Sequence, residues 1–376
     1  MTEATLRESS PRSNGTMRQM NVADAPAVGR LFRKVFRGVD ADAGGELIAF
    51  HREFAFGSPS YESESGSLVF ETPDGSISSA LLTVPMRFVT CERVVTGRLL
   101  CAYMADSGRA PNGAGVLSLA MRARQQNFAF SDTASPLSMN HFRSWGGVSV
   151  PLQNLGWVRA FRPIAVTVDR MVSRIFRGRG RGLARLARPL DNLLRTCLPS
   201  IAAPAAPTLR VVAMTFESFL DQAPGFVARY PVRPLWSREE LRWLLEMAQR
   251  NQTLGSLSIM AVMERSDQVI GCFVFYDGGG RIARVLNVLS SKQREAEVLC
   301  AMFNAFDRLG FAEARGRAQP SLMEGLVSQA MLTFRHEAFV CVVSRHADVL
   351  DAVRKGDFYL GGLAGEGWSR LMSDFP

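Results

Sequence analysis

Two runs of strands and helices follow one another in the same order along this 376-residue chain, separated by a stretch dense in arginine. In the first run, a short strand from Met17 turns into a helix with Asp24 as N-cap and Pro26 in its first turn. Val28, Leu31, Phe32, Val35 and Phe36 then recur at helical spacing. Residues 66–71 and 77–89 read as antiparallel strands joined by Pro73-Asp74-Gly75. A third strand over Arg98 to Ala105 leads into a glycine-rich loop over 106–115, a helix over 116–126, a short strand at 128–131, a helix over 137–145 and a strand over 148–158. The second run opens with a strand at 209–214 and a helix over 241–250. Strands at 257–264 and 269–276 pair, and a strand at 283–289 precedes an amphipathic helix over 295–309, stopped by Gly310. A strand at 312–317, a helix near 322–330, and strands at 339–344 and 358–360 complete it. The halves share element order and not residues, which is the pattern of a duplicated fold.

The chain is long enough for two cores, and 47% hydrophobic against 21% charged residues makes it globular. No apolar run approaches the roughly 20 residues that span a bilayer. Residues 1–16 are polar and read as a disordered leader, not a signal peptide. Cys91, Cys101, Cys197, Cys272, Cys300 and Cys341 form no CxxC pair, and the four histidines show no ligand spacing, so no metal site is expected. A reduced, cytoplasmic protein is the expectation. The expected domains are 17–162 and 209–376, with a basic helical linker at 163–208.

The net charge of +9 is concentrated in one place. Residues 155–200 hold ten arginines against two aspartates, a net +8. Ile164, Val168, Met171, Val172 and Ile175 form an apolar stripe. Leu183, Leu186, Leu190, Leu193 and Leu194 form another after Gly178-Arg-Gly-Arg-Gly182. Two basic amphipathic helices suit an acidic protein partner or a membrane surface; packing across the two domains with arginines toward solvent is the plainer reading. The apolar stripes and sparse interleaved aromatics argue against nucleic acid.

One loop carries chemistry. Arg109-Ala-Pro-Asn112-Gly113-Ala114-Gly115-Val116 follows a strand and precedes a helix, where free amides and small residues let a backbone approach a pyrophosphate. An ordinary strand-to-helix turn has the same composition.

Strand, loop and helix together resemble the acyl-CoA signature of the GNAT superfamily of acyl-CoA N-acyltransferases, with Arg109 one residue from the usual cationic position. Val150-Pro-Leu-Gln-Asn-Leu-Gly-Trp157-Val-Arg159, Ala312-Glu-Ala-Arg-Gly316-Arg317-Ala-Gln-Pro320 and Gly356-Asp357-Phe-Tyr-Leu-Gly-Gly-Leu-Ala-Gly365-Glu366-Gly-Trp368 resemble motifs of bacterial double-GNAT proteins. The resemblance implies an α/β (α+β) fold of two tandem GNAT-like domains, each a mixed, mostly antiparallel sheet flanked by helices. It implies acetyl-CoA or another acyl-CoA as co-substrate and a small-molecule amine as acceptor. Coenzyme contacts are then expected at Met104, Ala105, Arg109, Asn112, Gly113, Ala114, Gly115, Val116 and Asn140.

The carboxylate usual on the family's fourth strand is missing here, and Phe142 stands where a tyrosine acid is usual. Asp106, Tyr103 and His141 are the catalytic candidates, with Asp132 a further one. Asp106 and His141 have ordinary roles open to them, as a loop cap and an exposed helix residue. The second half lacks Gly-x-Gly after its corresponding strand and is expected to shape the acceptor pocket or complete the structure. Arg315, Arg317, Glu324, Glu366 and Trp368 either face that pocket or serve as salt bridges and core. The functional expectation is an N-acyltransferase, most simply acetyl, acting on a primary amine of a small molecule or sugar. A non-catalytic acyl-CoA or acyl-carrier-protein sensor and an N-acyl amino acid synthase are the alternatives.

Overall fold

The computed structural model describes residues 15–106, 108, 111–175, 188–198, 201–203, 208–279, 281–371, 373 and 375. Most of the expected leader, Arg109, Ala110 and the Gly178–Gly182 stretch lie outside them. The first half runs β1 (Thr16–Gln19), α1 (Ala25–Phe32), α2 (Gly45–Phe56), β2 (Leu68–Glu71), β3 (Ile77–Thr90), β4 (Arg93–Ala105), α3 (Pro111–Ala120), β5 (Ala129–Ala134), α4 (Pro136–Ser144), β6 (Val148–Ser149) and β7 (Leu155–Ala160). Helices α5 (Pro163–Ile175) and α6 (Arg188–Cys197) follow. The second half runs β8 (Leu209–Ala213), α7 (Phe216–Val227), β9 (Val232–Pro234), α8 (Arg238–Gln249), β10 (Ser256–Glu264), β11 (Val269–Asp277), β12 (Ile282–Ser290), α9 (Glu295–Arg308), β13 (Glu313–Arg317), α10 (Met323–Val327), β14 (Leu332–His336), β15 (Phe339–Val343) and α11 (Ala347–Lys355).

There are two mixed sheets. The first has the order β1-β2-β3-β4-β5-β15-β6, with β9 beside β3; the second has the order β14-β7-β13-β12-β11-β10-β8. In each path one neighbouring pair is parallel, β4 with β5 and β12 with β13. Each sheet therefore takes strands from the other half: β15 and the short β9 cross into the first, β7 into the second. The strand expected over 148–158 is two strands in two sheets. Pro151 sits in the helical region of φ and ψ and opens a 3-10 turn over Leu152–Asn154, which ends the extended run. The buried Asn154 and Gln153 fix this crossing. Asn154 Oδ1 accepts the Val340 N–H at 2.7 Å, and Gln153 Nε2 donates to the Leu360 carbonyl at 2.6 Å.

The largest core cluster draws Phe32, Phe54, Phe88 and Phe130 from the first half and Leu244, Tyr276, Leu289 and Trp368 from the second. Trp157 and Phe161 fill the separate core beneath α9. A third cluster packs α3 and α4 on the first sheet through Phe70, Leu100, Leu117, Phe142 and Trp145. Burying each such large side chain is worth about 1.5–3 kcal/mol, so the exchanged strand β7 is held by its side chains as well as its ladders.

Several elements differ from the sequence expectation. Helix α3 begins at Pro111, five residues early, and takes Gly113 and Gly115 into its first turns. Proline is pre-organised for the first helical position, and this outweighs the glycines' cost. Residues 358–360 form a single bridge, Val232 with Phe358, in place of a closing strand. Between α5 and α6, Asp191 accepts the Ile164 and Ala165 N–H groups, each at 2.9 Å, and so caps α5 from its neighbour. Among the described residues no helix is long and apolar enough to cross a membrane, and no group of three His, Cys, Asp or Glu residues is arranged to hold a metal ion.

Candidate active site

Strands β4 and β5 are in register only at Arg98 with Ala129 and Leu99 with Phe130. Beyond these pairs they diverge, β5 being drawn toward β15, its antiparallel neighbour. At the point of divergence β4 carries a bulge. Leu82 faces Ala102 while Thr83 faces Leu100, so Cys101 has no opposite residue on β3. The opening is a cleft lined by Cys101, Tyr103, Thr133, Ser138, His141 and Trp145 among others. Backbone polar groups along the diverging strand edges face it, which suits a ligand that pairs with a strand.

The structure brings two of the three catalytic candidates together. The Tyr103 and His141 rings meet edge to face at 5.6 Å, and His141 stacks on Trp145 at 6.0 Å. The Tyr103 hydroxyl donates to the Ala114 carbonyl, and burial pushes this phenol up to about 12. Asp106 stands apart. It pairs with Lys34 at 2.7 Å and accepts the Gly108 N–H at 3.1 Å. Phe142 is buried in the core beneath α4.

The residues expected to hold the coenzyme occupy several environments. Met104 is fully buried, and Ala105 ends β4 opposite Ser79. The amides of Asn112 and Gly113, in the first turn of α3, have no acceptor within the helix. A Cβ on Gly113 would lie 2.7 Å from Phe70 and 2.9 Å from Ser79 Oγ, so this glycine lets α3 sit close on the sheet. Gly115 is the opposite case, with nothing within 4 Å of its Cβ position. Val116 packs on the third core cluster, while Asn140 is exposed on α4. Amides without an intrahelical acceptor at the head of α3, together with the strand edges beyond the last β4–β5 pair, fit a pyrophosphate with an extended arm.

At the same divergence lies a pairing that the sequence did not reveal. Asp132 on β5 and Glu366, from the glycine-rich segment after α11, are each only 5% exposed. Asp132 Oδ1 accepts the Glu366 N–H at 2.9 Å, and the Thr133 hydroxyl donates to Glu366 Oε2. Glu366 Oε1 is buried and finds no partner among the described residues. Burial, opposed by the Thr133 bond and reinforced by Asp132, pushes Glu366 up to about 8. Burial also raises Asp132, against the pull of Arg317. Burial, reinforced by the charges of Glu366 and Asp132, holds the Cys101 thiol well above the ordinary range. Arg317 fastens the surroundings, donating to the carbonyls of Asp132 at 2.9 Å, Ala338 at 3.1 Å and Gln153 at 3.2 Å. A Cβ on Gly365 would come 2.1 Å from Asp132 Oδ2, so only glycine admits this approach. That run of glycines around one glutamate was the available signal.

The second half repeats the bulge but not the cleft. Val274 faces Asn287 while Phe275 faces Val285, leaving Leu286 unopposed. The same C-terminal segment fills the adjoining space. Asn287 donates to the Tyr359 hydroxyl at 2.7 Å and accepts the Leu363 N–H at 2.9 Å. Glu295 and Glu297 stand in the first turn of α9, where they oppose an anion.

Comparison of structures matches this architecture to solved proteins. An Enterococcus faecalis V583 protein described as a probable N-acyltransferase superposes with a TM-score of 0.56 at 6% identity, over 88% of this chain and 73% of that one. A GCN5-related N-acetyltransferase from Anabaena variabilis gives 0.56 at 10% identity, over 89% and 73%. One from Kribbella flavida gives 0.52 at 11%, over 88% and 72%. This is the GCN5-related N-acetyltransferase fold. At these identities the likeness is one of fold. Comparisons of sequence find no matching family profile and no matching curated protein. The GNAT fold accounts for the parallel β4–β5 pair and its divergence.

Proposed function

We propose that the protein is an acyl-CoA-dependent N-acyltransferase, with acetyl-CoA the first donor to test and a primary amine of a small molecule or sugar as acceptor. The observation that carries this reading is the buried Asp132–Glu366 pair at the divergence of β4 and β5, beside the Cys101 bulge. Coenzyme phosphates are assigned to the amides of Asn112 and Gly113, with Gly115 leaving the approach open and Asn140, exposed on α4, as a further candidate contact; Arg109 lies outside the described residues. The pantetheine arm is assigned to the edge of β4 from Tyr103 to Ala105.

In the reaction the amine nitrogen attacks the thioester carbonyl; the C–N bond forms and the C–S bond breaks. The proton lost by the amine passes to Glu366, whose raised affinity matches a base working near neutrality. The departing CoA thiolate takes a proton, for which Tyr103 and His141 on the cleft wall are the candidate donors. Asp132 keeps Glu366 basic by its own charge, and Thr133 orients it. Release of CoA thiol across a panel of amines tests the reading. Binding of acetyl-CoA without turnover on any amine would leave a sensor in its place.

A further inference from the structure

The face of the second sheet turned away from α9 carries a row of arginines. Arg284 on β12 is in direct register with Arg315 on β13, and Arg317 and Arg335 both pair with Gly156 on β7. The residues between them point the other way: Ala283, Ala314 and Trp157 belong to the core beneath α9, and the Trp157 ring fills the Cβ position of Gly316. Arg284, Arg315, Arg317 and Arg335 therefore share the opposite face.

Like charges directly opposite one another in a sheet are unfavourable unless something separates or neutralises them. Arg315 is held by Glu313 on its own strand. Glu337 lies close by, its carboxylate occupying the Cβ position of Gly156. Arg317 is spent on three carbonyls. Arg284, Arg315 and Arg335 thus face two glutamates, and Arg284 is the cation left over. Its guanidinium is half-buried, and its Nε is buried with no acceptor among the described residues. Burial and the neighbouring Arg315 both disfavour its charge. A half-buried guanidinium whose Nε has no acceptor among the described residues is costly in a structure and well suited to a ligand anion.

Its position indicates which ligand. Arg315 is two residues, about 7 Å, along β13 from Arg317, which bonds the Asp132 carbonyl. Leu286, two residues on from Arg284, reaches the Cβ position of Gly362 with its carbonyl and that of Gly367, the residue after Glu366, with its side chain. We propose that Arg284, with Arg315 and Arg335 beside it, binds an anionic group on the acyl acceptor, a carboxylate or a phosphate, while the acceptor's amine is presented to Glu366. This rests on the acyltransferase reading and narrows its acceptor to amines that carry negative charge.

The test uses the full-length protein with saturating acetyl-CoA and matched amines: tyramine with tyrosine, ethanolamine with O-phosphoethanolamine, glucosamine with glucosamine 6-phosphate. CoA release is expected to favour the anionic member by about tenfold or more in kcat/KM, and the pairs distinguish carboxylate from phosphate. Arg284→Gln is expected to raise KM for anionic amines by about 10- to 100-fold, with kcat and the neutral amines unchanged and Arg284→Lys recovering part of the loss. Equal use of both members of each pair, or an Arg284→Gln loss shared by neutral amines, overturns the anion site while acyl transfer stands. If no amine releases CoA, calorimetry with inorganic phosphate and with acetate on CoA-saturated protein separates the two ideas. Binding lost in Arg284→Gln keeps the anion site without the transferase, and no binding to the unaltered protein overturns it.

Discussion

Asp132 accepts the backbone N–H of Glu366 at 2.9 Å across 234 residues of sequence, so a carboxylate from each half of the chain meets at one buried point. Two acids this close, both desolvated, do not ionise independently. Their coupling makes the pH dependence of activity the most direct probe of the site.

The rate is expected to rise with a limb near pH 8, as Glu366 loses its proton. Glu366→Gln should lower kcat by about 10²- to 10⁴-fold, the usual worth of a positioned base. Asp132→Asn removes a neighbouring negative charge and should move the limb to lower pH, while Thr133→Val removes a bond that favours the carboxylate and should move it higher. A pH–rate profile of the three variants checks this; a limb that ignores both Asp132→Asn and Thr133→Val would remove Glu366 from the proton path.

Stability should show two opposing pH dependences. His51 is fully buried, both ring nitrogens lack partners among the described residues, and burial lowers it from 6.5 to about 4. The unfolded chain takes up this proton at 6.5 and the folded one does not, so stability is intact above pH 6.5 and is lost as pH falls toward 4. The loss is about 3 kcal/mol, since one unit is worth about 1.4 kcal/mol. Glu240 behaves oppositely. Burial raises it from 4.5 to about 7, so its contribution is intact below pH 4.5 and lost as pH rises to 7. The two slopes partly cancel between pH 4.5 and 6.5. Urea titrations should therefore show His51→Phe gaining on the unaltered protein as pH falls through that window, and Glu240→Gln gaining as pH rises. Parallel curves for the variants and the parent would refute both assignments.

Much of the fold is local and was legible for that reason. The alternation of β3 and β4, the turn at Pro73-Asp74-Gly75 and the stripe of α9 each follow from residues a few positions apart. The exchange of β7 and β15 is not of this kind. Trp157 and Val158 alternate identically whichever sheet receives them, and only the helical conformation at Pro151 separates β6 from β7. Helix α7 contains Pro224, which disguises its periodicity. At the site, Tyr103 and His141 were found from a strand and a helix in sequence order. Asp132 and Glu366 were each noticed, but nothing local joins residues so distant.

The two loop glycines should respond differently to substitution. Gly113→Ala drives a methyl into Phe70 and Ser79 and is expected to cost about 1–3 kcal/mol of stability. Gly115→Ala meets nothing and should stabilise by up to about 1 kcal/mol through helix propensity. Gly115→Glu should therefore fold normally yet lose acetyl-CoA binding, because its charge lies near the assigned phosphates. Thermal melts and calorimetry report the two quantities separately. Unchanged acetyl-CoA affinity in a folded Gly115→Glu protein would place the coenzyme elsewhere.

Strand exchange makes each half dependent on the other. Without β7, strands β13 and β14 both lose a neighbour, and the slot filled by Trp157 against Phe303 is empty. Without β15, strand β5 has an open edge at the site itself and β6 has no partner. Unpaired edges and an empty aromatic slot favour aggregation, and losing an aromatic of this size costs about 3–5 kcal/mol. Fragments 1–205 and 206–376 expressed singly are expected to be insoluble. Co-expressed, they should purify together through a tag on either one, with β7 and β15 clasping them. A cooperative thermal transition from either fragment alone would show that the borrowed strand is dispensable, and that the two sheets are joined by the covalent chain more than by their shared ladders.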